Sequence, residues 1–406
     1  MSTIISVTDV NTPSLGAVIH SVSANDQLFV LRDTELLAAN GIGITLYDKV
    51  TPNPTTDAID EATALGRAGG AQAVIAIGGG SPIDAGKSAA ILLANPGRTA
   101  HELYSFTFVP QVAVPIVVVN LTHGTGSEVN RFAVATITSL NHKPAIAYDC
   151  IYPLFSIDDP ALMTKLSPAQ TRFVSIDAVN HVIEAATAIT ANPLCVLLAQ
   201  ETIRLVAAYL PAALNNPEDL HARYCLAYAA LIAGTAFDNG LLHFTHALEH
   251  PLSAVKPELS HGLGLSMLLP AVIHQCYPAT APVLAQILRP IAPELRGQPE
   301  EATAAARAVE RWLSSVGVPQ KLMNEGFGEG DVERLCNYNY ENEVGFVAVV
   351  GPREQEEIIG QACYFSNPST TLADVAYLIN PQWQSTGLGS ALQQRILEHA
   401  QARGVR

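Results

Sequence analysis

Ala73–Asn95, AVIAIGGGSPIDAGKSAAILLAN, is the stretch that decides the fold. An apolar run ends at Ile77, three glycines follow, and a helix-forming segment opens at Ser81-Pro82. The run before the glycines reads as a buried strand, with Pro82 in the first helical turn and Ser81 as its N-cap. A strand that turns through glycine into a helix points bare amides and the positive end of the helix dipole outward, and a phosphate is the natural guest there. The pattern is neither GxGxxG nor the Walker motif, so this stretch alone leaves a phosphate loop and a ligand-free turn equally open.

Working outward, strand-like runs alternate with helical patterns through the first 150 residues: TIISVTD (Thr3–Asp9), QLFVLRD (Gln27–Asp33), IGITLYD (Ile42–Asp48) and VPIVVVN (Val114–Asn120). That alternation implies a parallel sheet covered by helices, with ligands beyond the carboxyl ends of its strands. A second loop follows the strand at Val114–Asn120, with Gly124 and Gly126 among Thr122, Thr125 and Ser127. Hydroxyls and flexible backbone there suit the ribose and phosphates of a nucleotide. From about Pro160 the texture becomes long Ala/Leu-rich amphipathic segments, the mark of a helical domain. One of them carries Asp177 and His181, four apart and on one face.

His243–Gly262, HFTHALEHPLSAVKPELSHG, holds four of the twelve histidines. On a helix, His243, His246 and His250 share a face, and Pro251 predicts the helix end. His261 returns just before another apolar segment. Neutral imidazoles on one face, with Asp177 and His181 nearby, suit a borderline divalent cation, whereas any one histidine alone reads better as a surface residue.

With 406 residues, two or three domains are expected. A net charge of -15 excludes a nucleic-acid partner, since phosphate binding needs a basic face. The six cysteines are scattered without a CxxC pair, which fits a reducing cytoplasm. No signal peptide and no membrane span are read from the sequence, because prolines and polar residues interrupt the longest uncharged run.

Five motifs, in order, resemble the iron-containing (group III) alcohol dehydrogenases: VTPNPT (Val50–Thr55), GGGSPIDAGK (Gly78–Lys87), GTGSEVNRFAV (Gly124–Val134), IDAVNHVIEA (Ile176–Ala185), and HALEHPL with SHG (His246–Leu252, Ser260–Gly262). The resemblance covers roughly residues 40 to 337. It implies a dehydroquinate-synthase-like fold, α/β plus all-α: a nucleotide-binding domain over residues 1–160 and a helical metal domain over 161–337. It also implies Asp177, His181, His246 and His261 as metal ligands and His250 beside the nicotinamide and substrate. Gly78, Gly79, Gly80 and Ser81 become the pyrophosphate loop, followed by Asp84 and Lys87, with Thr122, Thr125 and Ser127 in the second nucleotide loop. Asp9 matches the ribose-binding acid of the first strand only by its local VTD pattern. His123 departs from the family by standing where a small residue is usual, and the connector between His250 and His261 is about one residue longer than the family pattern.

Residues 338–406 resemble part of a second family, the GCN5-related N-acetyltransferases (GNAT), as a truncated α+β tail. Gln384, Gly387 and Gly389 stand in its acetyl-CoA loop pattern, but the opening helices and closing strands are missing, so a remnant without activity is expected. Together these resemblances imply an NAD(P)-dependent oxidoreductase that interconverts a small primary alcohol and its aldehyde at one divalent metal, Fe2+ or Zn2+. His250 is the expected proton relay, and the enzyme is expected to be a cytoplasmic homo-oligomer. Two rivals are an acetyl-CoA-dependent acyltransferase working through the tail and a non-redox lyase on the same fold. The lyase needs cations around an anionic substrate, and the metal helices offer little beyond Lys256 and Arg172.

Overall fold

β1 (Val18–His20), β2 (Leu46–Tyr47), β3 (Val74–Gly78), β4 (Ile116–Asn120) and β7 (Phe155–Asp158) form one parallel sheet in the order β2-β1-β3-β4-β7. This is a computed structural model, and it describes residues 18–20, 39, 41–328, 343–350, 357–366, 373–379 and 387–402. β3 and β4 are apolar up to Gly78 and Asn120 at their carboxyl ends, as strands covered on both faces must be. Ile77, Val119 and Leu121 form a buried cluster with Ile44, Ile75 and Leu162 packed against it. The strands expected at Thr3–Asp9 and Gln27–Asp33, and Asp9 itself, lie outside the described residues. β5 (Phe132–Val134) and β6 (Ala145–Ala147) form a separate antiparallel pair.

Register places the two loops side by side. Gly78 pairs with Asn120 at the carboxyl ends of β3 and β4, and the Leu121 amide donates to the Gly78 carbonyl at 2.9 Å. Among the described residues, α1 (Thr56–Ala68), α2 (Gly80–Ala94) and α3 (Ala100–Tyr104) accompany this layer. The N-cap of α2 is Gly79 rather than Ser81, so the expected side-chain cap is absent and Ser81 lies inside the first turn.

The helical layer comprises α4 (Pro168–Thr187), α5 (Pro193–Asn215), α6 (Leu220–Gly240), α7 (Phe244–Val255) and α8 (His261–Ile287). Ser167, Asn192 and Asp219 cap the first three through their side chains, and a proline follows directly in two of them. α4 is buried without a break from Ser175 to Ala186. By length and apolar composition α5 matches a membrane span, but Cys195, Ala199, Thr202, Ile203, Val206 and Leu210 are buried in the protein. Pro251 does not end α7, which runs four residues further. Burial of Leu252, Ser253 and Ala254 and the bond from the Lys256 amide to the Leu252 carbonyl hold the final turn, although Pro251 has no N–H of its own.

Two compact units emerge: Met1–Tyr104 with Pro110–Ser266, and Ser105–Val109 with Met267–Arg406. The first joins the parallel sheet to α4–α7 and the start of α8. Backbone contact explains this, since a Cβ added to Gly234 of α6 would lie 2.5 Å from the Gly126 carbonyl oxygen in the second loop. The second unit contains the rest of α8, kinked at Thr280, and α9 (Ala302–Ser315). It also holds an antiparallel sheet of β8 (Glu343–Val350), β9 (Glu357–Ser366) and β10 (Ala373–Ile379) in the order β10-β9-β8, followed by α10 (Leu388–Ala402).

Replacing Gly234 by alanine is expected to destabilise the protein by about 1–3 kcal/mol, the usual cost of overpacking, even though alanine is the better helix former. Urea unfolding of Gly234→Ala against wild type measures this; an unchanged or raised midpoint would show that the loop and α6 are not in backbone contact.

Candidate metal and nucleotide site

Asp177 and His181 project from consecutive turns of α4, His246 from the first turn of α7, and His261 opens α8. Their donor atoms converge on one oxygen. Asp177 Oδ1 lies 3.6 Å from His181 Nε2, 3.5 Å from His246 Nε2 and 3.9 Å from His261 Nε2. Among the described residues, Asp177 Oδ1 and His246 Nε2 are buried with no hydrogen-bond partner. Such orphans are rare because an unpaired buried polar atom costs about 1–3 kcal/mol. The separations are too long for hydrogen bonds, yet ligands about 2.1 Å from a shared tetrahedral ion stand roughly 3.4 Å apart. Thus the donor set fits a divalent cation.

A second group, Glu249, His250 and His261, also has its ligating atoms within 4.8 Å of one another. Its hydrogen bonding argues against a second ion. Glu249 Oε1 accepts from the Ser253 hydroxyl, Oε2 is hydrogen-bonded to His261 Nδ1, and Lys143 Nζ stands 3.9 Å from Oε2. No orphan remains on Glu249, so this group supports the first. Glu249 holds His261 from behind, as Glu184 Oε2 holds His246 Nδ1 at 2.8 Å. A carboxylate behind each of these two imidazoles fixes which nitrogen keeps the proton and leaves the other for a metal, whereas His181 Nδ1 is buried without a hydrogen-bond partner among the described residues.

The sequence reading missed Glu184, Glu249 and Lys143. The two acids stand three residues after His181 and His246, inside the quoted motifs, which was the available signal. Lys143 is buried and donates to Asn53 Oδ1 at 2.8 Å, while Asn53 donates to the Pro257 carbonyl at 2.9 Å. His243 is not on the face of His246 and His250 as expected. It is the N-cap of α7, where its Nδ1 accepts the Phe244 amide at 2.7 Å and its Nε2 meets the Thr187 hydroxyl at 2.8 Å.

Electrostatics follow the packing. Burial alone would raise the Asp177 carboxyl, but His181, His246 and His261 together hold it well below the usual range. Burial, then Lys143 and His261, drives His250 well below an ordinary imidazole, so its ring stays neutral. Phe237 stacks on His181 with centroids 4.5 Å apart, and the His181 and His246 rings stack at 4.6 Å.

At the sheet edge, the glycine run packs against the second loop. A Cβ on Gly79 would fall 2.7 Å from Thr122 Cγ2, and one on Gly80 would fall 2.5 Å from Thr125 Cγ2. Asp84 faces the protein, accepting from the Ser127 hydroxyl at 2.6 Å and the Val134 amide at 2.9 Å. Lys87 Nζ reaches Ser127 Oγ and the carbonyls of Asn130 and Phe132. Asp84, Lys87 and Ser127 therefore brace the two loops against each other. His123 points away from the glycine run into the helices. Its Nε2 accepts from the Arg223 guanidinium at 3.0 Å, which leaves Nδ1 to donate to Ser175 Oγ at 3.1 Å. Gly387, at φ 89, immediately precedes α10, and Gly389 lies within that helix, whereas Gln384 is outside the described residues.

A nucleotide-type parallel sheet with two glycine-rich loops, joined to helices that present one carboxylate and three imidazoles, defines a metal-dependent, nucleotide-using enzyme. Comparison with known proteins gives the family. Residues 16–160 match the profile of the iron-containing alcohol dehydrogenases, and residues 171–359 match the C-terminal profile of the same family. The second match passes residue 338 and enters β9, which takes that stretch away from the acetyltransferase resemblance. A long-chain primary alcohol dehydrogenase, AdhA, of Thermoanaerobacter ethanolicus is 60% identical over 295 residues, covering 73% of this chain and 74% of that one. Among solved structures, a 1,3-propanediol oxidoreductase is 31% identical with a TM-score of 0.73, covering 79% of this chain and 84% of that one. The NADH-dependent butanol dehydrogenase A of Thermotoga maritima is 26% identical with a TM-score of 0.72, covering 79% and 82%. The chain belongs to the iron-containing alcohol dehydrogenase family, and it is an NAD(P)-dependent alcohol oxidoreductase.

One buried acid near the second loop makes a pH test possible. Both Glu128 carboxyl oxygens are buried without a hydrogen-bond partner among the described residues, and burial followed by repulsion from Asp158 pushes the group up to about 8. Folded protein therefore keeps a proton that the unfolded chain releases, and this stability is complete below about pH 4.5 and lost as pH rises through about 8. Lys87, lowered by burial to about 8, acts above that window. Buried histidines titrate in the same window and are common to both proteins, so the expected outcome is a difference: from pH 5 to 8 the denaturation midpoint of wild type falls relative to that of Glu128→Gln, and a difference that stays constant with pH would contradict this assignment.

Proposed function

We propose that this enzyme reversibly oxidises a small primary alcohol to its aldehyde at a single cation bound by Asp177, His181, His246 and His261. The observation that carries this reading is the convergence of three Nε2 atoms on the unpartnered Asp177 Oδ1. When bound, the cation supplies Lewis acidity toward an alcohol hydroxyl or aldehyde carbonyl, and the nicotinamide supplies the hydride acceptor. Fe2+ is the family's metal, and the same donors suit Zn2+.

The chain's own groups have distinct tasks. Residues 1–160 bind nucleotide, and the helices of 161–337 carry the metal. Amides of Gly78, Gly79, Gly80 and Ser81 at the start of α2 hold the pyrophosphate of NAD or NADP. Thr122 and Thr125 shape the second wall of that loop, while Asp84 and Ser127 keep it in place. His250 lies with its ring centroid 5.6 Å from that of His261 and is the candidate relay that hands the alcohol's proton on to solvent. Asp9 is the candidate ribose acid by sequence alone. A cytoplasmic homo-oligomer remains the expected state.

A lyase on this fold would need cationic side chains turned toward an anionic substrate. Lys143, the buried cation beside the histidines, is engaged with Asn53 and stands 3.9 Å from Glu249, which favours a neutral alcohol. For the tail, what lies beyond the family match at residue 359, most of β9 with antiparallel β10 and then α10, is the part that supports a remnant of an acetyltransferase. Calorimetry with acetyl-CoA is expected to detect no binding, and saturable binding would favour the acyltransferase reading.

Metal analysis and NADH formation with a panel of primary alcohols, before and after chelation, test the main reading. Activity is expected to vanish with the metal and return when Fe2+ is restored, and His246→Ala is expected to lose both. Turnover by fully metal-free protein, or full occupancy in His246→Ala, would contradict it.

A further inference from the structure

Glu184 is fully buried, with a side-chain exposure of 0%, on the face of α4 that carries Asp177 and His181. A buried carboxylate is costly unless several donors meet it. Here four do: the amides of His243 at 3.2 Å and His246 at 3.1 Å, the amide of Thr245, and His246 Nδ1 at 2.8 Å. These amides belong to the first turn of α7, where no helical carbonyl can serve them. The remaining amide of that turn, Phe244, is taken by His243 Nδ1. One side chain of α4 therefore closes the start of α7 and grips the imidazole that the same turn presents.

We propose that Glu184 is a positioning residue for the metal centre: it fixes His246 with Nδ1 protonated and Nε2 bare, and it ties α7 to α4 so that ligands from two helices meet at one point. The inference rests on His246 being a metal ligand. Glu249 provides the contrast, since it lies on α7 and holds a histidine of the following helix. Glutamine in place of Glu184 would turn an N–H toward donors that it cannot satisfy, and would remove the charge that stabilises a protonated Nδ1.

The test is Co2+ titration of chelated wild type, Glu184→Gln and His246→Ala, followed by the visible ligand-field spectrum and by far-ultraviolet circular dichroism. Glu184→Gln is expected to bind Co2+ roughly 10–100-fold more weakly, with an altered ligand-field band and unchanged helix content. Wild-type affinity and spectrum in Glu184→Gln, with or without a lower melting temperature, would reduce Glu184 to a helix cap and overturn the proposal. If His246→Ala binds Co2+ like wild type, the ligand assignment itself fails. Should Glu184→Gln not fold, nitrogen-15 histidine spectra of zinc-loaded wild type decide. A low-field, slowly exchanging proton on Nδ1 of His246 supports the proposal, and a proton on Nε2 overturns it.

Discussion

Asp177 Oδ1, buried without a hydrogen-bond donor and ringed by three imidazole nitrogens, is the constraint on which the rest of the structure depends. A protein interior does not leave a carboxylate unpaired unless something else satisfies it. The four groups come from three helices, and each helix must be held in register for them to meet. α4 achieves this by being buried along most of its length, so its Asp177–His181 face has one orientation. α7 and α8 are shorter or kinked, and side-chain bonds from Glu184 and Glu249 replace the missing bulk.

The nucleotide side is built by a different economy. Small residues let two loops and a helix approach backbone to backbone, and buried polar groups then lock the loops together. Glycines at 79 and 80 admit Thr122 and Thr125, Gly234 admits Gly126, and Asp84 with Lys87 fastens Ser127 to Val134. Glycine thus serves packing within the protein as well as access for a ligand. Because Gly234 lies on α6, the same contact joins the sheet to the helical layer, and one compact unit contains both the loops and the metal donors.

Legibility in the sequence followed the strength of the local signal. β3 and β4 were plain because continuous apolar runs end at glycine or asparagine, and the long helices were plain from their Ala/Leu-rich amphipathic texture. β2 falls inside the run read at Ile42–Asp48 but is only two residues long, whereas β1, with three residues, and β7, with its large side chains exposed, carry no clean period. Pro251 misled because its missing hydrogen bond is one among many in α7. His243 misled because facial arithmetic holds only inside a helix, and this residue is its cap. Glu184 escaped notice for another reason. Its partner His246 is 62 residues away, and a lone acid on a helix ordinarily reads as a solvent-facing charge.

X-ray absorption at the metal edge tests the central claim most directly. On protein loaded with one equivalent of iron or zinc, the account predicts a first shell of nitrogen and oxygen only, with the outer-shell scattering of about three imidazoles and no metal–metal vector. A shell containing sulfur, fewer than two imidazoles, or a second metal bridged through His261 to Glu249 would contradict it.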